Sequence, residues 1–274
     1  MPELLRRLLR SPQGGIGLVL VSLVVLLALA GPALAPHSPE ALSPPRRYQP
    51  PGSEFWLGTD QLGRNILSRL LVGARATVLL ALIATFLGSL AGALIGTISA
   101  FVGGRVDEAV MRTVDAVMAV PSLLLSLLIV SVLGRGAENA VLAIAIAFTP
   151  GMARITRSVA LAVRRQDYVS AAIARGEGAG YIVVREMLPN VVAPIVVEMS
   201  IRVAFAVMLF ATLSFLGLGA QPPASEWGLM VSEARRFMHL SPWMIVWPSI
   251  AIALVAIGFN LFGDGLRDAL NPRT

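Results

Sequence analysis

The chain has 274 residues, of which 56% are hydrophobic and 14% charged, and its mean hydropathy is +0.76. Soluble domains carry about 25% charged residues, and disordered chains combine low hydrophobicity with high charge, so both classes are excluded. The absence of cysteine excludes a disulfide framework and thiol chemistry. The net charge of +6 does not indicate a nucleic-acid partner, because the arginines fall between apolar blocks, where they orient a membrane protein.

Uncharged windows along the chain predict membrane-spanning helices, because about 20 apolar residues are enough for a helix to cross a bilayer. The windows are residues 11–39, 76–104, 116–134, 139–153, 203–225 and 237–263. The fourth is short, but apolar residues resume from Ser158 to Val163, so we expect its helix to continue past Arg154. These stretches lack the alternation of a membrane barrel strand. We therefore expect an all-α integral membrane protein with six transmembrane helices.

The first window has two interpretations. Ala33-Leu34-Ala35 resembles the cleavage site of a signal peptide. However, the apolar run from Gly14 to Ala35 is longer than a usual signal core, and Pro36 follows the supposed cut, which favours a retained membrane anchor. Arginines are more numerous in the segments that share a side with the N-terminus, so we expect both termini to be cytoplasmic.

Two segments are predicted on the outer side. His37 to Gly73 begins with prolines that favour an extended chain. Thr59 or Asp60 is then expected to cap an amphipathic helix, whose apolar side consists of Ile66, Leu67, Leu70 and Leu71. This helix either docks a partner or only packs against the spans. The second segment, Gly217 to Pro242, contains a helix-compatible run. Its tryptophans, Trp227, Trp243 and Trp247, favour an interfacial belt over ligand stacking.

A polar insertion at about residues 164–193 separates the fourth and fifth windows. Asp167 is placed to cap a short helix, and Gly176 permits a left-handed turn at its end. Small residues at 171, 172 and 174 leave a slim surface that fits a groove on another protein. A second helix is expected through Val184 to Leu188, with Pro189 interrupting it before the fifth span.

This insertion resembles the EAA loop in permease subunits of bacterial binding-protein-dependent ABC importers. The similar residues are Ser170-Ala171-Ala172, then Gly176 four positions after Ala172, then Leu188-Pro189. Ser170 stands where the family usually has Glu, and Asp167 is a candidate to compensate. Glu186 also departs from the family, whose peptide permeases often have a basic or apolar residue at its position.

The resemblance extends over nearly the whole chain. Trp56 to Arg69, Ala119 to Ser122 and Ser214 to Gly219 are similar to the peptide and nickel importer branch, and within it to the "C" permease of dipeptide and oligopeptide systems. It implies a type I ABC importer permease fold in the bacterial inner membrane. Residues 1–73 are then a cytoplasmic tail, the first span and an external amphipathic segment, and 74–274 form a five-helix permease core.

The resemblance also implies partners and a mechanism. The chain contains no lysine, so it cannot carry a Gly-x-x-x-x-Gly-Lys-Ser/Thr phosphate loop. We therefore expect a non-catalytic subunit without a cofactor of its own, with ATP and Mg bound by one or two partner ATPase subunits. A homologous second permease subunit, an extracytoplasmic substrate-binding protein and membrane lipid are the other expected partners. The residues that the resemblance assigns to ATPase coupling are Asp167, Ser170, Ala171, Ala172, Arg175, Gly176, Leu188 and Pro189.

The substrate is a di- or oligopeptide by resemblance, with nickel or another small solute as alternatives. The competing class is an ion-coupled transporter or channel, which usually has ionisable residues at membrane depth. Only Glu198 and Arg202 are candidates, and a pair at the cytoplasmic start of the fifth span is the favoured interpretation. Gly88, Gly92 and Gly96 indicate close helix packing. Met208, Phe210 and Phe215 either line a pathway or pack in the core, and core packing is favoured.

Overall fold

The structure, a computed structural model, describes residues 6–9 and 11–270, and over that part it is helical, with no strand beyond a bridge between Thr59 and Asn65. Five helices are long and apolar enough to cross a membrane. The helices are α1 (Pro12–Leu34), α2 (Ile66–Val102), α3 (Gly104–Met118), α4 (Ser122–Leu133), α5 (Ala137–Arg164), α6 (Asp167–Ala174), α7 (Ala179–Phe215), α8 (Trp227–Ala234) and α9 (Trp243–Leu270). Residues 1–5, 10 and 271–274, on which the predicted orientation partly rests, lie outside the described residues.

The third predicted span is a bent pair of helices. Helices α3 and α4 meet at an angle of 90°. Pro121 at the junction has no backbone N–H for a helical hydrogen bond, and it disfavours the helical conformation in Val120. Residues 116–134 therefore do not form one straight helix. The five long helices become six spans when this bent pair is counted as one.

The separate outer amphipathic helix was a wrong prediction. Neither Thr59 nor Asp60 caps a helix; α2 begins at Ile66, where the Asn65 side chain accepts hydrogen bonds from the backbone N–H groups of Leu67 (2.9 Å) and Ser68 (3.3 Å). From there α2 continues without a break for 37 residues. The residues of the predicted apolar side, Ile66, Leu67, Leu70 and Leu71, thus belong to the first two turns of the second span. An Asn cap satisfies the free N–H groups of a first turn, and this cap lies five residues after Asp60.

The glycines predicted to mediate close packing do so between α2 and α5. A Cβ atom built on Gly88 would lie 2.6 Å from the carbonyl oxygen of Ala145, and one on Gly92 would lie 2.6 Å from that of Thr149. Gly96 faces Ala153 in the same way. Since no side chain separates them, the two helices approach backbone to backbone, as small residues permit in membrane bundles. This contact forms the centre of the fold.

The helix ends define two ends of the molecule. At one, the Arg164 side chain donates a hydrogen bond to the carbonyl of Ala100 (3.0 Å), which joins the last turns of α5 and α2. At the other, the Trp227 indole N–H donates to the carbonyl of Leu70 (3.0 Å), which joins α8 to the start of α2. Trp227 is buried, so its predicted place in an interfacial belt is wrong. We call these the elbow end and the loop end.

Candidate functional site

Helix α6 is short and two-sided, and it lies at the elbow end. Val169 and Ala172, three residues apart, are fully buried. Asp167, Ser170 and Ala171 are exposed. The helix therefore packs through one side and leaves the other side exposed.

The buried side of α6 belongs to a compact apolar cluster, which we call the elbow cluster. Its members come from the elbow ends of α2 and α5 and from the first half of α7 as well as from α6. They are Ala93, Ala100, Met152, Ala160, Val169, Ala172, Ile182, Met187, Val191 and Ile195. Through this close-packed cluster, α6 is in contact with three of the long helices, α2, α5 and α7.

Gly176 ends the short helix as predicted. Its φ angle is +77°, a region that side chains disfavour and glycine adopts readily. The N–H of Gly176 donates to the carbonyl of Ile173 (3.0 Å), and the N–H of Glu177 donates to that of Ala172 (3.2 Å). These bonds satisfy the last carbonyls of α6. The left-handed turn reverses the chain towards α7.

Asp167 is not the cap that the sequence suggested. The cap position is Gln166, which makes no side-chain capping bond, and Asp167 is the first helical residue. A carboxylate in the first turn still interacts favourably with the helix dipole. Asp167 therefore lies one position after the cap, and its side chain is exposed on the surface of α6.

Arg175 connects α6 with the start of α7. Its guanidinium lies 3.7 Å from a carboxylate oxygen of Glu177 and 3.7 Å from one of Glu186. Glu186, the residue that departs from the family pattern, therefore has a charged neighbour within the elbow. Exposed pairs of this kind contribute about 0–1 kcal/mol. Their effect is to bias the orientation of Arg175.

Pro189 does not interrupt the second helix, contrary to the prediction. Helix α7 runs continuously from Ala179 to Phe215. A π-helical stretch, Ile182–Met187, comes directly before Leu188 and Pro189. Proline removes a hydrogen bond and crowds the carbonyl four residues earlier, and a wider local turn accommodates this without ending the helix. Leu188 is half-buried against the elbow cluster, and Pro189 is exposed.

The predicted coupling residues thus divide into two groups. Side chains available to a partner are those of Asp167, Ser170, Ala171, Arg175 and Pro189, and Gly176 is exposed as well. Ala172 is buried and Leu188 is half-buried, and both pack against the elbow cluster instead.

Sequence reasoning missed two exposed apolar residues on α6. They are Tyr168 (38% exposed) and Ile173 (52% exposed). Their apolar character suggests burial. The spacing of Val169 and Ala172 marks the buried side of α6. That spacing was the available signal that Tyr168 and Ile173 lie outside the buried side.

A cavity of about 520 Å³, which we call the central cavity, lies between the α3–α4 junction, α5 and α7. Phe148, Glu198, Arg202, Phe205 and Met208 are among its lining residues. Glu198 and Arg202 form the expected pair, with 2.9 Å between carboxylate and guanidinium. They lie near the middle of α7, so the placement at the cytoplasmic start of a span was wrong. The helix starts earlier than its apolar window because it extends into the elbow.

The aromatic and methionine candidates separate clearly. Met208 lines the central cavity, although core packing was favoured for it. Phe210 is fully buried in the main core. Phe215 lines a smaller cavity beside α8 and α9. Among residues 6–9 and 11–270, no three His, Asp or Glu side chains are grouped so that they could hold a metal ion.

Comparison with known proteins identifies relatives over nearly all of the chain. Residues 88–274 match the family described as binding-protein-dependent transport system inner membrane component. Residues 3–51 match the N-terminal transmembrane domain of oligopeptide transport permease C.

Three curated relatives illustrate the similarity. A probable D,D-dipeptide transport system permease protein of Escherichia coli strain K12 is 39% identical, over 96% of this chain and 88% of the relative. A dipeptide transport system permease protein of Alkalihalophilus pseudofirmus is 38% identical, over 99% and 89%. A glutathione transport system permease protein of Pectobacterium atrosepticum is 38% identical, over 99% and 90%.

A solved structure shares the fold. The chain aligns with a protein chain from an inward-facing structure of the MetNI methionine ABC transporter, with a TM-score of 0.57 and 17% identity. The alignment covers 74% of this chain and 96% of that one. At this identity the likeness concerns the fold, which is that of a type I ABC importer permease.

Proposed function

We propose that this chain, which belongs to the family of inner membrane components of binding-protein-dependent transport systems, forms half of a peptide pathway that separate ATPase subunits drive through α6. Family membership makes it a multi-pass, non-catalytic permease subunit of an importer in the bacterial inner membrane. The identity of the cargo and the residues that receive the force are the proposed part. In this proposal ATP and Mg are bound by the ATPase subunits and not by this chain.

Peptides are the proposed cargo because of the relatives' names. Dipeptides, D,D-dipeptides and glutathione are named for relatives that are 38–39% identical over almost the whole chain. All three contain amide-linked amino acids with charged ends. We propose a homologous permease subunit to complete the pathway and an external binding protein to deliver the peptide.

The observation that carries the coupling role is the construction of α6. Its exposed side carries small and polar side chains together with the apolar Tyr168 and Ile173, and its buried side packs in the elbow cluster with α2, α5 and α7. A nucleotide-driven movement of the ATPase subunits would shift α6, and the elbow cluster would transmit that shift to the long helices. Rigid-body motions about packed interfaces are a common form of switching.

The test uses substitutions that change the outer side of α6 without changing its core. Ala171→Arg places a long charged side chain on the exposed side, and Ala171→Ser keeps the position small. In the complete complex in proteoliposomes, we expect Ala171→Arg to reduce ATP-driven uptake of dialanine by about tenfold or more, the effect of about 1.4 kcal/mol or more. Ala171→Ser should retain uptake. Normal uptake by assembled Ala171→Arg complexes would contradict the coupling role.

A further inference from the structure

The central cavity contains the only ion pair of α7 at membrane depth within the described part of the chain. Glu198 and Arg202 are one helical turn apart, and their side chains are 20% and 16% exposed. Charged side chains at such depth are costly, face a bundle interior or a water-filled cavity, and mark substrate or ion pathways. The presence of Glu198 and Arg202 at this depth therefore indicates a functional role, in addition to any contribution to stability.

The pair does not fasten helices together. Both residues belong to α7, whereas Arg157 on α5 pairs with Asp107 on α3 and so joins two helices. Within the pair, Arg202 uses one terminal nitrogen for Glu198, and its buried Nε has no hydrogen-bond partner. Arginine has five donors in a planar fork. A buried donor without a partner is unusual in a folded protein, and here it belongs to a residue that lines a cavity.

The surroundings hold the guanidinium in a defined place. Its central carbon lies 5.5 Å from the centre of the Phe148 ring, within the range of a cation–π contact. On the same helix as Phe148, Gly151 leaves room for the fork, because a Cβ atom there would lie 2.8 Å from Nη2 of Arg202. Phe205, Met208 and Leu209 supply apolar wall to the same cavity.

We propose that Arg202 is a transient binding site for the terminal carboxylate of a peptide passing through the central cavity. The inference rests on the proposed function, since it requires a peptide as cargo. A guanidinium fork matches a carboxylate in a bidentate arrangement. Glu198 holds the fork between passages, and the terminal nitrogens of the fork are the donors offered to the carboxylate. The apolar wall contacts the variable side chains, and Met208 adapts to different shapes.

The experiment measures ATP-driven uptake of radiolabelled dialanine, together with ATP hydrolysis stimulated by the loaded binding protein, in the complete complex in proteoliposomes. For Arg202→Met we expect uptake to fall by about tenfold or more, as the loss of a hydrogen bond to a charged group implies. Stimulated hydrolysis should stay within about twofold. Arg235→Met is the matched control, because Arg235 also lies over an aromatic ring, that of Phe215, but does not line the central cavity. Its uptake should be unchanged.

A charge-swapped variant separates a binding role from a structural one. Glu198→Arg combined with Arg202→Glu keeps an ion pair on the same two turns but removes the fork from its place beside Phe148 and Gly151. We expect its uptake to remain as low as that of Arg202→Met. Recovery of normal uptake in the swapped variant would overturn the inference.

Two further outcomes are decisive. If Arg202→Met does not assemble, Arg202→Lys retains the charge and lacks the fork, and normal uptake by that variant would also overturn the inference. If the wild-type complex shows no ATP-driven uptake of dialanine or trialanine, the proposed cargo is wrong. That result is distinguishable from failure of the Arg202 role, because the Arg202 role is judged only from variants of a wild type that transports the peptide.

Discussion

Arg64 and Glu233 are far apart in the sequence, yet their side chains pair at 2.9 Å at the loop end. Arg69 also lies 2.9 Å from Glu233, and both arginines contact Asp60, at 2.6 Å for Arg64 and 2.9 Å for Arg69. Two cations and two anions thus form a closed network, which we call the loop-end clasp. It joins the turn before α2 to helix α8.

Breaking the loop-end clasp should destabilise this end of the molecule. Glu233→Ala would leave two buried guanidiniums with one carboxylate, and removal of one partner from a buried charge pair costs about 3–5 kcal/mol. The expected result is a lower unfolding temperature of the purified complex. Glu54→Ala is the matched control, since Glu54 forms an exposed pair with Arg46 and should cost at most about 1 kcal/mol. Equal effects of the two substitutions would contradict the role of the clasp.

Glu226 should make the stability of the loop end depend on pH. Burial raises its pKa, although the backbone N–H groups of Gly228 and Leu229 donate to it and oppose the shift. A carboxyl group with a raised folded-state pKa binds protons more readily when folded. Its contribution to stability is therefore present at acidic pH and is lost as pH rises from the unfolded-state pKa through the folded-state pKa.

Glu226→Gln tests this dependence. The glutamine oxygen can still accept one of the two capping bonds, which go to different oxygens of Glu226, and the side chain does not ionise. We expect the wild type to lose more stability than Glu226→Gln between acidic and neutral pH, measured as the unfolding temperature of the complex. Parallel pH profiles for the two proteins would contradict the raised folded-state pKa of Glu226, because they would show that its pKa is the same in the folded and unfolded proteins.

The contact between α2 and α5 should not tolerate a larger residue. A Cβ atom on Gly92 would meet the carbonyl of Thr149 at 2.6 Å, so Gly92→Ala requires the helices to separate, at a cost of about 1–3 kcal/mol. Gly15→Ala in α1 is the control, because its Cβ would have its nearest neighbour at 3.9 Å. The check is the unfolding temperature of each complex, and a tolerated Gly92→Ala would show that the helices have room to separate.

The turn after α6 should be sensitive to backbone conformation alone. Gly176 has a φ of +77°, whereas Gly178 has −69°, and a Cβ atom at either position has nothing within 4 Å. Gly176→Ala should therefore cost about 1–2 kcal/mol from the left-handed conformation, and Gly178→Ala should be neutral or stabilising. Limited proteolysis of the elbow should be faster only for Gly176→Ala, and equal rates would refute a conformational requirement.

Local signals explain which features were predictable from the sequence. Gly176 and the glycines of α2 act through backbone conformation and lack of a side chain, so their roles follow from residue type and spacing. Asn65 as the cap of α2 was missed because Thr59 and Asp60 are equally good capping residues. The choice depends on how the turn before α2 folds against α8, which involves the distant Glu233.

Other features depend on packing that no local pattern reveals. Proline is usually a helix breaker, yet α7 continues through Pro189, with a π-helical stretch directly before it. The position of Arg202 depended on where α7 begins, and the apolar window did not include the first turns of that helix. Burial of Ala172 beside exposed Ala171 follows from the elbow cluster, whose members come from four helices.

The most direct measurement of the central claim is a crosslink between α6 and an ATPase subunit. The chain has no cysteine, so Ala171→Cys and Gln221→Cys each introduce one thiol, at the elbow end and at the loop end respectively. In membranes containing the assembled complex, the account predicts that a short bifunctional crosslinker joins Cys-substituted position 171 to the ATPase subunit and does not do so from position 221. A crosslink from position 221 alone, or from neither position in an assembled complex, would contradict it.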